Sequence, residues 1–283
     1  MPPPTKGSRE SGVTVSELTK GHLSTLGARL LWATTAIDRG YRRFDRLRSE
    51  LVAATASDAV LDRFNDLAYG RTDAYRPDTG SFREYLFPWE EQVVRERFPP
   101  PPGRVLVGGA GGGREALALA ELGYEVVAFD PSETLVRALA GRSGITAFPG
   151  GYEQLGAMFG PDESFDAVVL GWGSFSHLRS ERDRLETLRA AARLTDGPIL
   201  VSFLALKRAA SPGLSRLRRL LPRRRDRDAG DVFAVTIGFY HPVDEAEVRT
   251  LAEKAGLEVE HASFDERDTN WPHVVLRARK VPR

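Results

Sequence analysis

The chain has no cysteine among its 283 residues. That absence excludes a disulfide framework, a thiolate zinc site and a thiol nucleophile. It also has no excess of either charge. With 40 Lys+Arg against 39 Asp+Glu the formal net charge is +1, so no global field draws the protein to nucleic acid. Lysine is scarce, five residues among the 40 basic ones, and we read that as a coding bias before a chemical signal. No apolar run approaches the roughly 18 residues of a membrane span. The longest candidate, Leu30 to Ile37, is short and sits in a charged helical pattern. Met1 to Gly12 carries no apolar stretch, so nothing there reads as a signal peptide. The expectation is a soluble, cytoplasmic protein without stable membrane association. Its length suits one large domain or two small ones.

What is present divides at a proline run. Residues 1–12 are polar and Pro-rich and read as a disordered tail; residues 13–100 read as a helical region. Leu23, Leu26, Leu30, Leu31, Thr34 and Ile37 share a stripe, as do Phe44, Leu47 and Leu51. Ser57-Asp58 offers a cap to a further helix carrying Val60, Leu61, Phe64 and Leu67. An aromatic stretch from Tyr69 to Phe87 leads to a short helix opened by Pro88. Pro99 to Pro102 with Gly103 then marks a boundary.

From residue 101 to 283 short apolar runs alternate with helical stretches. Strands are expected at Arg104–Val107, Glu125–Phe129, Ile145–Phe148, Phe165–Leu170 and Pro198–Leu204. Helices are expected at Arg114–Leu122, Ser132–Ala140 and Arg179–Leu194. That rhythm predicts a parallel sheet covered by helices on both faces. An Arg-rich insertion, 205–230, interrupts it and reads as a solvated loop or a cap over the substrate. A helix at Asp244–Ala255, closed by Gly256, and two last strands, Leu257–Phe264 and His273–Arg279, finish the chain.

The chemistry lies in Val105-Leu106-Val107-Gly108-Gly109-Ala110-Gly111-Gly112-Gly113-Arg114, a strand running into a glycine turn that opens a helix. Glycine tolerates the unusual dihedrals of such a turn and lets backbone approach a ligand closely. The helix start that follows favours a negative group. Asp130 ends the next strand, where a carboxylate can accept hydrogen bonds from a ribose diol. A dinucleotide fingerprint also fits, read from Gly111 through Gly113 to Ala116.

Read as Gly109, Gly111 and Gly113, the turn resembles the G-x-G-x-G of class I S-adenosylmethionine-dependent methyltransferases. The likeness spans roughly residues 69–283. It includes Val126–Ser132 and Phe165–Leu170, and it extends to the helix, glycine and paired strands at the C-terminus. It implies a Rossmann-like α/β fold: a seven-stranded, mostly parallel sheet with an antiparallel last strand, and an N-terminal helical lid. It implies S-adenosylmethionine as cofactor and a small-molecule acceptor methylated at oxygen or nitrogen. Gly109, Gly111 and Gly113 would face the methionine part, Asp130 the ribose and Tyr152 the adenine. Gly171 and Trp172 would border cofactor and substrate, and Tyr69 and Tyr75 would belong to the lid. Two departures stand out. Many members have an acidic residue where Val107 stands, and often another near Gly151; without them the fold could also serve as a non-catalytic cofactor-binding protein. An NAD-dependent oxidoreductase is the other alternative, although no Tyr-x-x-x-Lys pair is recognisable.

For a general base the candidates are His177, in the loop after the Phe165–Leu170 strand, and His241 with its neighbour Tyr240. No metal site is expected, and the sequence is silent on oligomeric state.

Overall fold

The computed structural model describes residues 25–71, 82, 85–204, 228, 230–264 and 271–279. The disordered-tail expectation for residues 1–12, Tyr75 and nearly all of the 205–230 insertion lie outside them. Two helices come first, α1 (Thr25–Thr55) and α2 (Asp58–Arg71), then α3 (Pro88–Arg97). The alternating region follows: β1 (Arg104–Gly108), α4 (Arg114–Glu121), β2 (Glu125–Asp130), α5 (Glu133–Arg137), β3 (Ile145–Pro149), α6 (Leu155–Met158), β4 (Ala167–Leu170), α7 (Glu181–Leu194) and β5 (Ile199–Ser202). A hairpin of β6 (Val232–Ala234) and β7 (Gly238–Tyr240) precedes α8 (Glu245–Lys254), β8 (Leu257–Ser263) and β9 (His273–Ala278).

Seven strands form one sheet in the order β3-β2-β1-β4-β5-β9-β8. β1 to β5 run parallel, and β9 enters antiparallel between β5 and β8. The expected fold class is therefore present. Both faces are covered, which is why the strands read as continuous apolar runs. Val105 and Val107 point to the face packed by α3 and α4, through Trp89, Val93, Ala116 and Leu119. Leu106 and the alternate residues of the other strands point to the face packed by α7 and α8, through Leu188, Ala191, Val248 and Leu251.

The hairpin β6–β7 was not anticipated from the sequence. Phe233 and Phe239 pack it onto Ala53 and Leu61 of the N-terminal helices, and the Phe233 N–H donates to Ser49 Oγ at 2.9 Å. Expected Ser132–Ala140 helix is shorter than expected: α5 ends at Arg137, and Ala138–Arg142 continue as successive turns. Among the described residues no helix is long and apolar enough to cross a membrane.

Candidate functional site

The strand order reverses direction between β1 and β4, and in open α/β sheets ligands bind at the carboxyl edge beside such a point. A cavity of about 950 Å³ opens there, lined by the glycine turn, Asp130, Tyr152, Trp172, His177 and the polar face of α2. That volume lies at the upper end of the roughly 300–1,000 Å³ typical of small-molecule sites.

The glycine turn is built as the spacing implied. Gly109, Gly111 and Gly113 all have positive φ, at 63°, 55° and 95°. Each serves a different purpose. A Cβ on Gly109 would stand 2.5 Å from Ser174 Cβ and 2.9 Å from the Tyr152 hydroxyl, and one on Gly113 would collide with Leu139. A Cβ on Gly111 would meet nothing within 4 Å, so its bare backbone faces the cavity. Gly109 and Gly111 line the cavity; Gly113, packed on Leu139, does not.

Asp130 closes the turn onto β2. Its Oδ2 accepts from the Gly111 N–H at 2.8 Å and its Oδ1 from the Ser132 N–H at 2.9 Å. Burial raises the carboxyl pKa, and those two donors oppose the rise. An ionised carboxylate offers about four lone-pair sites, so two remain for a ligand diol. Tyr152 lies edge-on to Phe129 at 5.6 Å, and its ring flanks Gly108. Ser174 Oγ donates to the Gly171 carbonyl at 2.6 Å, which leaves the Tyr152 hydroxyl to donate to Ser174 Oγ, also at 2.6 Å. Burial pushes the Tyr152 pKa up, keeping it a neutral donor. Beside Gly151, where one departure was noted, the Glu153 carboxylate folds back into the space a Cβ would fill, and it lines the cavity. Val107 stays apolar in the core.

Trp172 lines the cavity with φ of 45°, rare for a bulky residue and costing about 1–3 kcal/mol. The Arg114 guanidinium lies 5.0 Å from its ring and 4.1 Å from that of Phe87. Arg114 donates to both oxygens of Glu90, at 2.6 and 2.7 Å, and to Glu115 at 2.7 Å; all three side chains are buried. Burial opposes the guanidinium's charge, but Glu115 and Glu90 outweigh it and hold its pKa above the ordinary value. Gly171 sits beside this group, since a Cβ there would meet Glu115 Oε1 at 2.5 Å, and it is not on the cavity wall. The sequence reading missed the cluster; its one signal was a charged triplet of residue types in otherwise apolar surroundings.

The opposite wall comes from α2. Asp62, Asn65, Asp66 and Tyr69 recur at i, i+3, i+4 and i+7, the polar counterpart of the Leu61 and Phe64 stripe, and that spacing was the available clue. Tyr69 reaches across to His177: its hydroxyl donates to the Ile237 carbonyl at 2.8 Å and stands 2.9 Å from His177 Nε2. The Phe239 carbonyl, 2.6 Å from His177 Nδ1, can only accept, so Nδ1 carries a proton. Burial lowers the His177 pKa, which favours the neutral ring with its Nε2 lone pair towards Tyr69.

His241 and Tyr240 are placed elsewhere, off the cavity wall. Tyr240 is fully buried with Leu204 and Val232. His241 sits between two carboxylates, Asp231 at 2.8 Å from Nδ1 and Glu247 at 2.8 Å from Nε2, while Arg184 pairs with Asp228 and Glu247. Both imidazole nitrogens donate, so no lone pair is left for a general base. Asp228, Asp231 and His241 are also the one trio of metal-ligating groups among the described residues, but Arg184 and the imidazolium already fill it with cations. Burial opposes the His241 charge, yet Asp231 and Glu247 raise its pKa to about 9. Its contribution to stability is therefore complete below the unfolded value of about 6.5 and is lost as pH rises towards 9, on the order of 3 kcal/mol in all. Thermal melts from pH 6 to 10 should show a falling midpoint across that window. His241→Gln should melt lower at pH 7 and lose most of this dependence; an unchanged profile would contradict the clamp.

The model of the family described as a methyltransferase domain matches residues 105–196, from β1 past the end of α7. Residues 105–196 are thus similar to a methyltransferase domain. Among solved structures the chain is similar to the PH0226 protein of Pyrococcus horikoshii OT3, at 19% identity and TM-score 0.54, covering 75% of this chain and 98% of that one. It is also similar to DesVI of Streptomyces venezuelae, at 17% identity and TM-score 0.50, covering 80% and 100%. The CcbJ methyltransferase of Streptomyces caelestis aligns at 19% identity and TM-score 0.49, covering 67% and 88%. At these identities the first two likenesses speak for the fold alone. No curated protein sequence matches the chain.

The match to a methyltransferase domain implies S-adenosylmethionine as donor, and the residues present fit it. The bare Gly111 backbone, the spare lone pairs of Asp130 and the Glu153 carboxylate face one cavity large enough for the cofactor and an acceptor.

Proposed function

We propose that the protein transfers the methyl group of S-adenosylmethionine to an oxygen or nitrogen of a small molecule, with His177 and Tyr69 taking up the acceptor's proton. The single observation behind this reading is the cavity itself. Its one wall holds the glycine turn, Asp130, Tyr152 and Trp172, and the facing wall holds Tyr69 bonded to His177.

When bound, the cofactor supplies a methyl group already activated on a sulfonium. The chain's task is mainly orientation, which can supply on the order of 7–11 kcal/mol. In this reading Gly109 and Gly111 hold the methionine part, Asp130 the ribose, and Tyr152 with Glu153 the adenine. Trp172 borders donor and acceptor, and its ring face favours the sulfonium charge. Neutral His177 accepts a proton at Nε2 relayed through the Tyr69 hydroxyl, whose O–H turns from the Ile237 carbonyl to Nε2; the resulting imidazolium keeps its Nδ1–H on the Phe239 carbonyl. The near-zero net charge supports a small molecule over nucleic acid.

The test is release of S-adenosylhomocysteine with a panel of hydroxyl and amine acceptors. His177→Ala and Tyr69→Phe should lower kcat, the former by roughly 10²–10⁴-fold, while cofactor affinity holds. Because the His177 pKa is lowered, the acid limb of the kcat profile should fall below the ordinary imidazole value. Unchanged kcat in His177→Ala would remove the base assignment, and absence of turnover with every acceptor would count against catalysis.

A further inference from the structure

The first half of α1 presents an apolar face that nothing in the proposed reaction uses. Leu26, Leu30, Ile37 and Phe44 are 68%, 60%, 72% and 64% exposed. They belong to a heptad pattern without a charge at any core position over 26 residues: the a positions are Leu30, Ile37, Phe44 and Leu51, and the d positions are Leu26, Ala33, Gly40 and Leu47. Such a pattern over more than three heptads is the signature of a helix that pairs with another helix. Ser49 and Ala53, through which α1 packs onto its own chain, lie on the opposite side, so the seam faces outward.

Gly40 is the second observation. A glycine inside a helix costs roughly 0.5–1 kcal/mol relative to alanine. A Cβ on Gly40 would meet nothing within 4 Å, so no neighbour among the described residues requires that glycine. It lies on the seam, where a close-approaching partner would require it.

We propose that α1 is a dimerisation helix and that its partner is the α1 of a second copy, paired antiparallel. In an antiparallel pair each a residue meets a d residue of the other helix. The register that sets Ile37 against Gly40 also sets Phe44 against Ala33, Leu30 against Leu47 and Leu51 against Leu26. Large residues thus face small ones at the centre and leucines meet at both ends, all by a two-fold operation. The same operation brings Arg29 of one copy opposite Glu50 of the other. A parallel pair would instead stack Gly40 on Gly40 and Phe44 on Phe44. The paired span is about 39 Å long at 1.5 Å per residue, and at a helix's width of about 10 Å the two strips bury roughly 800 Å². That is below the roughly 1,000 Å² of a stable specific interface, so the pairing is weak and depends on concentration. A lipid surface fits less well: Leu31, Trp32 and Tyr41 are exposed too, but they lie off the seam, and Arg29, Arg43 and Arg48 border it and break up the broad apolar face that a lipid-facing helix shows.

The experiment is sedimentation velocity on the full chain at tens of micromolar, with two sets of variants. The wild type should sediment at twice the 31.2 kDa chain mass. Ile37→Glu with Phe44→Glu should give a monomer with an unchanged circular dichroism spectrum, because both side chains are exposed in the single copy. The chain has no cysteine, so added ones report register cleanly. Ala33→Cys mixed with Phe44→Cys should form a disulfide-linked dimer under oxidation, and Ala33→Cys alone should not. Three results would overturn the proposal: a wild-type monomer, including one that co-sediments with phosphatidylglycerol vesicles instead; a dimer that survives the double Glu variant; or efficient crosslinking of Ala33→Cys alone.

Discussion

Replacing Arg114 by methionine should cost about 3–5 kcal/mol of folding stability, because it leaves two carboxylates buried without their cation. Glu90 and Glu115 approach Arg114 to within 2.7 Å and are as buried as it is. Glu90 also accepts from the Phe87 N–H at 2.7 Å and so caps α3, while Arg114 binds the Tyr85 carbonyl at 3.0 Å. One guanidinium therefore ties α3 to α4 and supports the strained Trp172. Burial raises the Glu115 pKa against the pull of Arg114, so removing Arg114 should drive it up further. Against a total of about 5–15 kcal/mol for a typical protein, the loss is large. Urea unfolding measures it directly. The triple change Arg114→Met, Glu90→Gln and Glu115→Gln should recover much of the loss, since apolar or neutral replacement of a whole buried ion cluster is often tolerated. A single-variant loss under about 1 kcal/mol would mean that the cluster is hydrated and the account of Trp172 is wrong.

The second large effect concerns Asp130. Asp130→Ala should weaken S-adenosylhomocysteine binding at least about 100-fold, the worth of one or two hydrogen bonds to a charged acceptor. Part of that loss is indirect, because Asp130 Oδ2 also holds the Gly111 N–H and with it the shape of the turn. Asp130→Asn separates the two contributions. Its amide oxygen can keep the Gly111 bond but offers one acceptor fewer to a diol, so it should fall between wild type and Asp130→Ala. Calorimetric titration of the three proteins gives the ordering, and equal affinities would detach Asp130 from the ligand.

Much of this was legible in the residues. β1, β2 and β4 are short apolar runs ending at Gly108, Asp130 and Leu170, and a sheet covered on both sides leaves no other reading of them. Gly109, Gly111 and Gly113 were legible because the turn they form requires positive φ at each. The β6–β7 hairpin was not, since three-residue strands are too short to show a period and its anchors are Ser49 and Leu61, far away in sequence. His241 misled for the same reason. Its position before Pro242 suggested an edge-of-sheet base, whereas its partners Asp231, Glu247 and, through them, Arg184 are supplied by tertiary packing. Gly151 seemed to lack a carboxylate, and only the fold shows Glu153 turned back over it. His177 lines the cavity because the loop carrying it lies at the ligand edge of the sheet, although its bond to Tyr69 spans 108 residues and leaves no trace in the sequence.

The most direct test of the central claim is calorimetric titration of the full chain with S-adenosylhomocysteine, with NAD as the comparison. The cavity described above predicts one site per chain, micromolar affinity for S-adenosylhomocysteine and no measurable heat with NAD. Binding of NAD in preference, or of neither, would contradict the assignment of this cavity to a methyl donor.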